Sequence, residues 1–445
     1  MMRWAYNLFM WALVPLLRLR LARRGKKEPG YLHAIDERFG HYSTTTPSKR
    51  SQTSKTSQAQ QAQHSGPLIW IHAVSLGETR TAALLLAALR EQLPGMRLLL
   101  THGTATGRAE GAQLLRPGDL QVWQPWDTRS ATRRFLAHFQ PSLGLLMETE
   151  VWPNLSAACQ ASGVPLVLVN ARLSEKSMRQ ALRLAWLARP AFGALTAVWA
   201  QTPADAQRLR QLGAPEPQVL GNLKFDAQPD AQQLAQGKAW RARNTRPVVL
   251  LASAREGEEA DLLRTLSVLS ALQTPLPDVQ WLIVPRHPQR FDEVAALIES
   301  QGFKVSRRSQ WVDGPEPVHA NQPLVWLGDS LGEMALYYGL ADVALLGGSF
   351  EPFGGQNLIE AAACACPVVM GPHTFNFTQA AELAVVAGGA QRVATLAQAV
   401  ETALALVQAP AQRNTMAHAA MAFAHAHSGA ARQTAEAVLR LLRQQ

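Results

Sequence analysis

From Pro67 onward the sequence alternates short apolar runs with longer helical stretches, and this rhythm constrains the fold more than any other feature. The runs 68–74 (LIWIHAV), 97–101, 143–147, 165–169 and 195–200 are bounded by Gly, Pro, Asp or Asn. A polar, Pro-containing stretch follows at about 227–247. The rhythm then restarts with 248–252 (VVLLA), 280–284 (QWLIV), 324–327, 341–346 and 367–370. Short, nearly continuous apolar runs suit strands buried on both faces, as in parallel sheets covered by helices. The expectation is an α/β chain of two successive parallel-sheet domains. Such sheets bind ligands at the carboxyl ends of their strands, and two facing lobes would put that edge in a cleft.

Composition removes several classes. Hydrophobic residues make up 47% of the 445 and charged residues 17%, so the chain is not fully disordered. No apolar run reaches ~18 residues without a charge, which excludes a polytopic membrane protein. Cys159, Cys364 and Cys366 cannot form a disulfide framework, and no Cys/His cluster has zinc-site spacing. No structural metal and no cofactor are expected. The net charge is +10, but residues 1–66 hold 11 Lys and Arg against 3 Asp and Glu. The rest of the chain is near neutrality, which argues against a nucleic-acid partner.

Residues 4–17 (WAYNLFMWALVPLL) are uncharged and precede Arg18, Arg20, Arg23, Arg24, Lys26 and Lys27. Fourteen residues rise about 21 Å as a helix, and Leu19 and Leu21 extend the apolar face while the arginines snorkel. Residues 1–27 are therefore expected to form a membrane-anchor helix with a basic flank, spanning or lying in the interface, ahead of the alternatives of a cleavable signal peptide and a core or partner helix. The positive-inside rule would keep the body on the cytoplasmic side, against an anionic membrane surface. Residues 28–66 connect it to the body. Their part 43–66 has no large apolar side chain and reads as a polar, low-complexity insertion or linker. The boundaries expected beyond it are a first lobe at 67–226, a linker at 227–246 and a second lobe at 247–445.

Unusual residues cluster at strand ends. Ala73-Val74-Ser75-Leu76-Gly77-Glu78 ends one run and enters a helix. Glu78 there reads either as a charge on the helix N-terminus or as a general base. Thr101–Gly107 has the same layout and suggests a loop close to a ligand. Glu148 and Glu150 follow another run, and Glu150 reads as a ligand contact or a helix cap. Arg172 and Lys176 could receive an anion. In the second lobe Ser253 ends a run ahead of Gly257 and Glu258. Arg286, His287 and Arg290 follow the next run and fit phosphate or carboxylate capture, or a solvated loop. Glu333, in GDSLGE (328–333), could cap a helix. LLGGSFEPFGGQNLIE (345–360) is the strongest segment. Its pairs Gly347-Gly348 and Gly354-Gly355 would let backbone N–H groups approach a phosphate, and Glu360 could bind ribose hydroxyls. No G-x-G-x-x-G with a following acidic residue and no G-x-x-x-x-G-K-[ST] is present. His373 and Asn376 end a further run without metal-ligand partners.

Taken in order, HAVSLGE (72–78), THGTATGR (101–108), PWD (125–127), ETEVWPNL (148–155), VNARLSEKS (169–177), GNLKFD (221–226), ASAREGEE (252–259), PRHPQRF (285–291), GDSLGE and GGSFEPFGGQNLIEA with GPHTFNF (347–377) resemble the 3-deoxy-D-manno-octulosonic acid (Kdo) transferase family of lipopolysaccharide assembly. The resemblance implies a GT-B glycosyltransferase fold: an acceptor-binding first lobe, a CMP-sugar-binding second lobe and a terminal helix returning to the first. It implies transfer of Kdo from CMP-Kdo to a tetraacyl lipid A precursor on the cytoplasmic face of the inner membrane, without a metal in the transfer. By the family's motifs Glu78 would be the general base. Arg286, Gly328, Ser330, Gly348, Ser349, Asn357 and Glu360 would hold the CMP moiety. Ser253, Arg255, His287, Gly354, Gly355, Gln356, Glu150, Asn222 and Lys224 are further donor or cleft candidates. Many relatives carry His where this chain has Arg255 and Gln356. The competing readings are a GT-B enzyme for another nucleotide sugar and acceptor, and an inactive envelope scaffold.

Overall fold

The computed structural model describes residues 2–42, 66–272, 278–315 and 324–444. The chain forms two compact units, Met1–Asp226 with Ser428–Gln445, and Ala227–His427. Nearly all of the polar segment expected as a linker at 43–66 lies outside the described residues.

The first unit holds a seven-stranded parallel sheet. Its strands are β1 (Leu68–His72), β2 (Arg97–His102), β3 (Leu120–Trp123), β4 (Leu143–Met147), β5 (Leu166–Ala171), β6 (Ala197–Ala200) and β7 (Gln218–Val219), in the spatial order β3-β2-β1-β4-β5-β6-β7. Strands β1, β4 and β5 are buried along their whole length, which explains their near-continuous apolar sequences. Helices cover both faces. On one, Trp70 and Phe135 meet edge-on with ring centroids 4.8 Å apart, and Trp70 Nε1 donates to Thr101 Oγ1 at 2.8 Å. On the other, the helix Leu76–Gln92 shares a core with the C-terminal helix Ala430–Arg443. Asp226 fastens that returning segment by accepting from the backbone N–H groups of Gly429 and Ala431, at 2.5 and 2.9 Å.

The second unit repeats the plan with β8 (Val248–Ala254), β9 (Gln280–Pro285), β10 (Lys304–Arg307), β11 (Leu324–Leu327), β12 (Val343–Leu346), β13 (Val368–Met370) and β14 (Ala390–Arg392). All are parallel, in the order β10-β11-β9-β8-β12-β13-β14. Each sheet is built outward from its middle, with β1 beside β4 in the first and β8 beside β12 in the second, where β11 also inserts between β9 and β10. In open parallel sheets such a junction, at the carboxyl edge, is where ligands bind.

The expected membrane-anchor helix is overturned. Among the described residues, no helix is long and apolar enough to cross a membrane. The helix Met2–Lys27 has 26 residues, but its apolar stretch ends at Leu17 and its second half carries the arginines. One side of it packs on the first unit instead. Met10 and Leu21 are buried, Arg18 lies over the Phe39 ring at 4.4 Å, and Tyr6 Oη donates to Asp127 Oδ2 at 2.8 Å. The cytoplasmic-side orientation inferred from an anchor falls with it.

Asp127 explains two motifs without invoking chemistry. Its Oδ2 also accepts from Asn154 N at 3.0 Å and its Oδ1 from Leu155 N at 2.8 Å. It therefore caps the helix Pro153–Ser162, whose own N-cap residue Trp152 supplies no side-chain bond. Asn154 Nδ2 returns a bond to the Asp127 carbonyl at 2.7 Å. Asp127→Ala leaves two buried N–H groups and the Tyr6 hydroxyl unpaired, so urea unfolding should show a loss of about 2–4 kcal/mol. A loss below about 0.5 kcal/mol would show that the clasp does not hold the helix.

Candidate active site

Glu78 sits in the third position of the helix Leu76–Gln92, where β1 ends beside β4. Ser75 and Glu78 form a reciprocal cap. Ser75 Oγ accepts from Glu78 N at 3.3 Å and donates to Glu78 Oε1 at 3.1 Å, while Glu78 Oε2 accepts from Val74 N at 2.8 Å. The carboxyl is half-buried. Burial pushes its pKa up to about 7; Glu148 and Glu150 push the same way, against the Val74 and Ser75 hydrogen bonds. The structure thus shows the capping reading of Glu78: the cap fixes the orientation of the carboxyl, and burial raises its pKa.

Beside it, β4 delivers Glu148 in left-handed backbone conformation (φ 59°), unusual for a residue with a side chain. Its Oε2 accepts from Arg172 Nε at 2.7 Å and its Oε1 from Lys224 Nζ at 3.2 Å. Glu148 therefore draws together the motifs around 148, 172 and 224, and Arg172 is spent on it. Glu150 accepts from Trp152 Nε1 at 3.0 Å, and burial raises its pKa. Asn222 Oδ1 accepts from Lys224 N at 3.0 Å, which shapes the turn that presents Lys224. Lys176 is exposed on its helix.

Two histidines behind this edge carried no functional signal in the sequence. His102 Nδ1 donates to the Ala73 carbonyl at 2.9 Å, and His72 Nδ1 lies 2.9 Å from Thr101 Oγ1. Both rings are buried, and burial drives their pKa values down to about 3 for His72 and about 4 for His102. They are neutral supports of the β1 turn. The loop expected at 101–107 to lie close to a ligand is used internally: Thr104 Oγ1 donates to the Val74 carbonyl at 2.9 Å and accepts from Gly107 N at 3.1 Å.

In the second unit, the turn after β12 closes on itself. Gly347 lies against backbone: a Cβ there would meet the Ser253 carbonyl oxygen at 2.4 Å, so only glycine fits. The N–H of Gly348 donates to Glu258 Oε2 at 2.7 Å, that of Gly355 to the Gly348 carbonyl at 2.7 Å and that of Gln356 to the Gly347 carbonyl at 3.1 Å. The backbone cradle expected for a phosphate is therefore not open at these three groups, and the helix that follows, Leu358–Ala363, has only six residues. Gly354 (φ 94°) packs against Asn376, whose Nδ2 donates to the Phe353 carbonyl at 3.0 Å.

Ser349 is fully buried. Its Oγ donates to the Leu346 carbonyl at 2.5 Å and accepts from Gly371 N at 2.8 Å, joining β12 to the turn after β13. Gly328 packs against Val284 and Tyr337. Ser330 Oγ bonds Glu333 and lies 2.5 Å from Tyr337 Oη. Glu333 occupies the N-cap of its helix without a side-chain cap bond and pairs with Arg308 at 2.8 Å.

Side chains at the carboxyl edge remain. Arg286 Nε donates to Gln356 Oε1 at 3.2 Å. Arg255 stacks over the Phe353 ring at 4.2 Å and pairs with Glu256 at 2.9 Å. His287 lies among these cations, and its pKa is lowered by burial first and then by Arg255 and Arg286. Asn357 caps its short helix through Oδ1 and donates from Nδ2 to Glu360 Oε1 at 3.0 Å. Ser253, in left-handed conformation (φ 55°), places its Oγ 3.8 Å from Met334 Sδ. Arg290 departs from the anion-capturing group: it is committed to Glu259 at 2.6 Å and Glu293 at 3.1 Å. Among the described residues no group of three or more His, Cys, Asp or Glu is placed to hold a metal ion.

Comparisons with known proteins fit this architecture. Residues 33–227 match the family model described as 3-deoxy-D-manno-octulosonic-acid transferase. A 3-deoxy-D-manno-octulosonic acid transferase from Bordetella pertussis is 46% identical over 98% of this chain and 98% of its own length. One from Haemophilus influenzae is 30% identical over 94% of each. Among solved structures, a glycosyltransferase from Rickettsia africae aligns with a TM-score of 0.56 over 85% of this chain and 98% of its own, at 14% identity. A UDP-GlcNAc 2-epimerase from Neisseria meningitidis bound to UDP-GlcNAc aligns with a TM-score of 0.55 over 85% of this chain and 100% of its own, also at 14% identity. These last two likenesses concern the fold, a two-lobed GT-B-like α/β architecture with parallel sheets. The chain belongs to the 3-deoxy-D-manno-octulosonic acid (Kdo) transferase family and is a glycosyltransferase.

Proposed function

We propose that this enzyme transfers Kdo from CMP-Kdo to the tetraacyl lipid A precursor, with Glu78 as general base. The observation that carries the reading is the Glu78 carboxyl: half-buried, held by Val74 N and Ser75 Oγ, and raised to a pKa of about 7 where β1 ends beside β4. A base poised near neutrality suits removal of a proton from a sugar hydroxyl. In the step, the acceptor oxygen bonds to the anomeric carbon of Kdo while the bond from that carbon to the CMP phosphate oxygen breaks. The bonding pair leaves with the phosphate, which departs as CMP, and the hydroxyl proton passes to Glu78.

The second unit is assigned to the donor. With the N–H groups of Gly348, Gly355 and Gln356 engaged inside the turn, the phosphate is the task of guanidinium groups, Arg286 first and Arg255 beside it. Asn357 and Glu360 offer an amide and a carboxylate to ribose hydroxyls. Gly328, Ser330, Ser349, Gly354 and Gly355 contribute shape and support, and His287, Ser253 and Gln356 line the same edge. In the first unit, Glu150, Asn222 and Lys224 are the remaining candidates, Lys224 held by Glu148.

The test is a mass-spectrometric transfer assay with purified protein, tetraacyl lipid A precursor and CMP-Kdo generated in place. Acceptor mass should rise by one or more Kdo residues. Protein that binds CMP yet adds no Kdo would overturn the assigned transfer.

A further inference from the structure

Glu258 opens the helix Glu258–Leu272 and is fully buried where β8 and β12 end side by side. Its Oε2 accepts from the N–H groups of Arg255 at 2.9 Å and Gly348 at 2.7 Å, and its Oε1 from Phe350 N at 3.2 Å. One carboxylate thus ties the turn after β8 to the glycine turn after β12.

We infer that Glu258 is a positioning residue for the donor: it sets the glycine turn, and through it Arg255, Gln356 and Arg286, while consuming the N–H groups that could otherwise meet a phosphate. The inference rests on the assignment of the second unit to the CMP donor.

The geometry is specific. A Cβ at Gly348 would lie 3.0 Å from Gln356 Nε2 and 3.4 Å from Arg255 Cγ, so both side chains rest directly on the residue that Glu258 holds. Gln356 in turn accepts from Arg286 Nε. Moving Gly348 therefore moves the platform under both guanidinium groups. The neighbouring cations do not neutralise Glu258: Arg255 pairs through its side chain with Glu256, and Arg290 with Glu259. Its charge is answered by backbone N–H dipoles, which oppose the upward push that burial gives its pKa. Such hydrogen bonds to an ionised acceptor are the strong kind. The arrangement also divides labour: a buried anion under the turn makes the backbone a poor phosphate receptor, so phosphate recognition passes to Arg286 and Arg255.

Glu258→Gln tests this, because the amide keeps one acceptor oxygen and turns an NH₂ toward backbone donors. Backbone amide exchange at Gly348 and Phe350 should quicken at least tenfold, and the Kd for CMP should rise at least tenfold. KM for the donor should rise while kcat stays within a few-fold. Glu258→Asp, shorter but still anionic, should recover part of the CMP affinity. Should Glu258→Gln fail to fold, the Glu258→Asp protein supplies the same two readouts with smaller shifts. Exchange at the wild-type rate, or unchanged CMP affinity in a Gln variant whose wild type binds CMP, would overturn the inference. Wild-type protein that fails to bind CMP would overturn the donor assignment and this inference with it.

Discussion

Glu78→Gln should lower turnover by about 10²-fold or more while leaving CMP affinity unchanged. The amide still has an oxygen to accept from Val74 N, so the cap of the helix Leu76–Gln92 survives and the proton acceptor does not. For the wild type, kcat should climb with pH along a limb centred near the Glu78 pKa of about 7, because only the ionised carboxyl can take the proton. That limb should vanish in the variant. Stability moves the other way. The folded-state pKa lies above the ordinary value of 4.5, so the folded protein binds this proton more tightly than the unfolded chain. The resulting stabilisation is present at low pH and is lost as pH rises through about 7. At pH 8, Glu78→Gln should therefore melt no lower than wild type. Activity within a few-fold of wild type, or an unchanged limb, would remove Glu78 from the mechanism.

Arg290→Met should destabilise the protein by about 3–5 kcal/mol, because it strands Glu259 in the interior without its cation. Glu259 is fully buried and bonded to Arg290 Nη1 at 2.6 Å, and the Arg290 side chain is only 12% exposed. The double variant Glu259→Gln/Arg290→Met should recover most of the loss, since removing both charges abolishes the desolvation penalty as well as the attraction. Urea unfolding of the three proteins decides this. A small stability loss in Arg290→Met combined with lost CMP binding would instead return Arg290 to the donor-binding group.

Ten strands were legible as apolar runs, and the four that were not are β3, β7, β10 and β14, the four edges of the two sheets. Interior strands are covered on both faces and must be apolar throughout. An edge strand keeps one side open and carries polar residues, as in the exposed Gln218-Val219 of β7 and the Lys304-Val305-Ser306-Arg307 of β10. Periodicity alone cannot distinguish such short segments from loops. The N-terminal helix failed for a related reason. Its apolar residues and arginines invite a membrane reading, but partners such as Asp127 and Phe39 lie far along the chain or beyond a turn, where no local pattern reveals them.

The sequence by itself determined the two parallel-sheet units, the strand ends that carry the unusual polar residues, and the family, because apolar runs and ordered motifs are local properties of the chain. Only the tertiary structure decided what each motif does. It joined PWD to the PN of ETEVWPNL through Asp127, committed Arg290 to Glu259, and spent the Gly348 N–H on Glu258. It also raised the Glu78 pKa through burial beside Glu148 and Glu150. Hydrogen bonds, ion pairs and desolvation depend on residues distant in sequence and close in space, so the division between chemistry and support becomes visible only once the chain has folded.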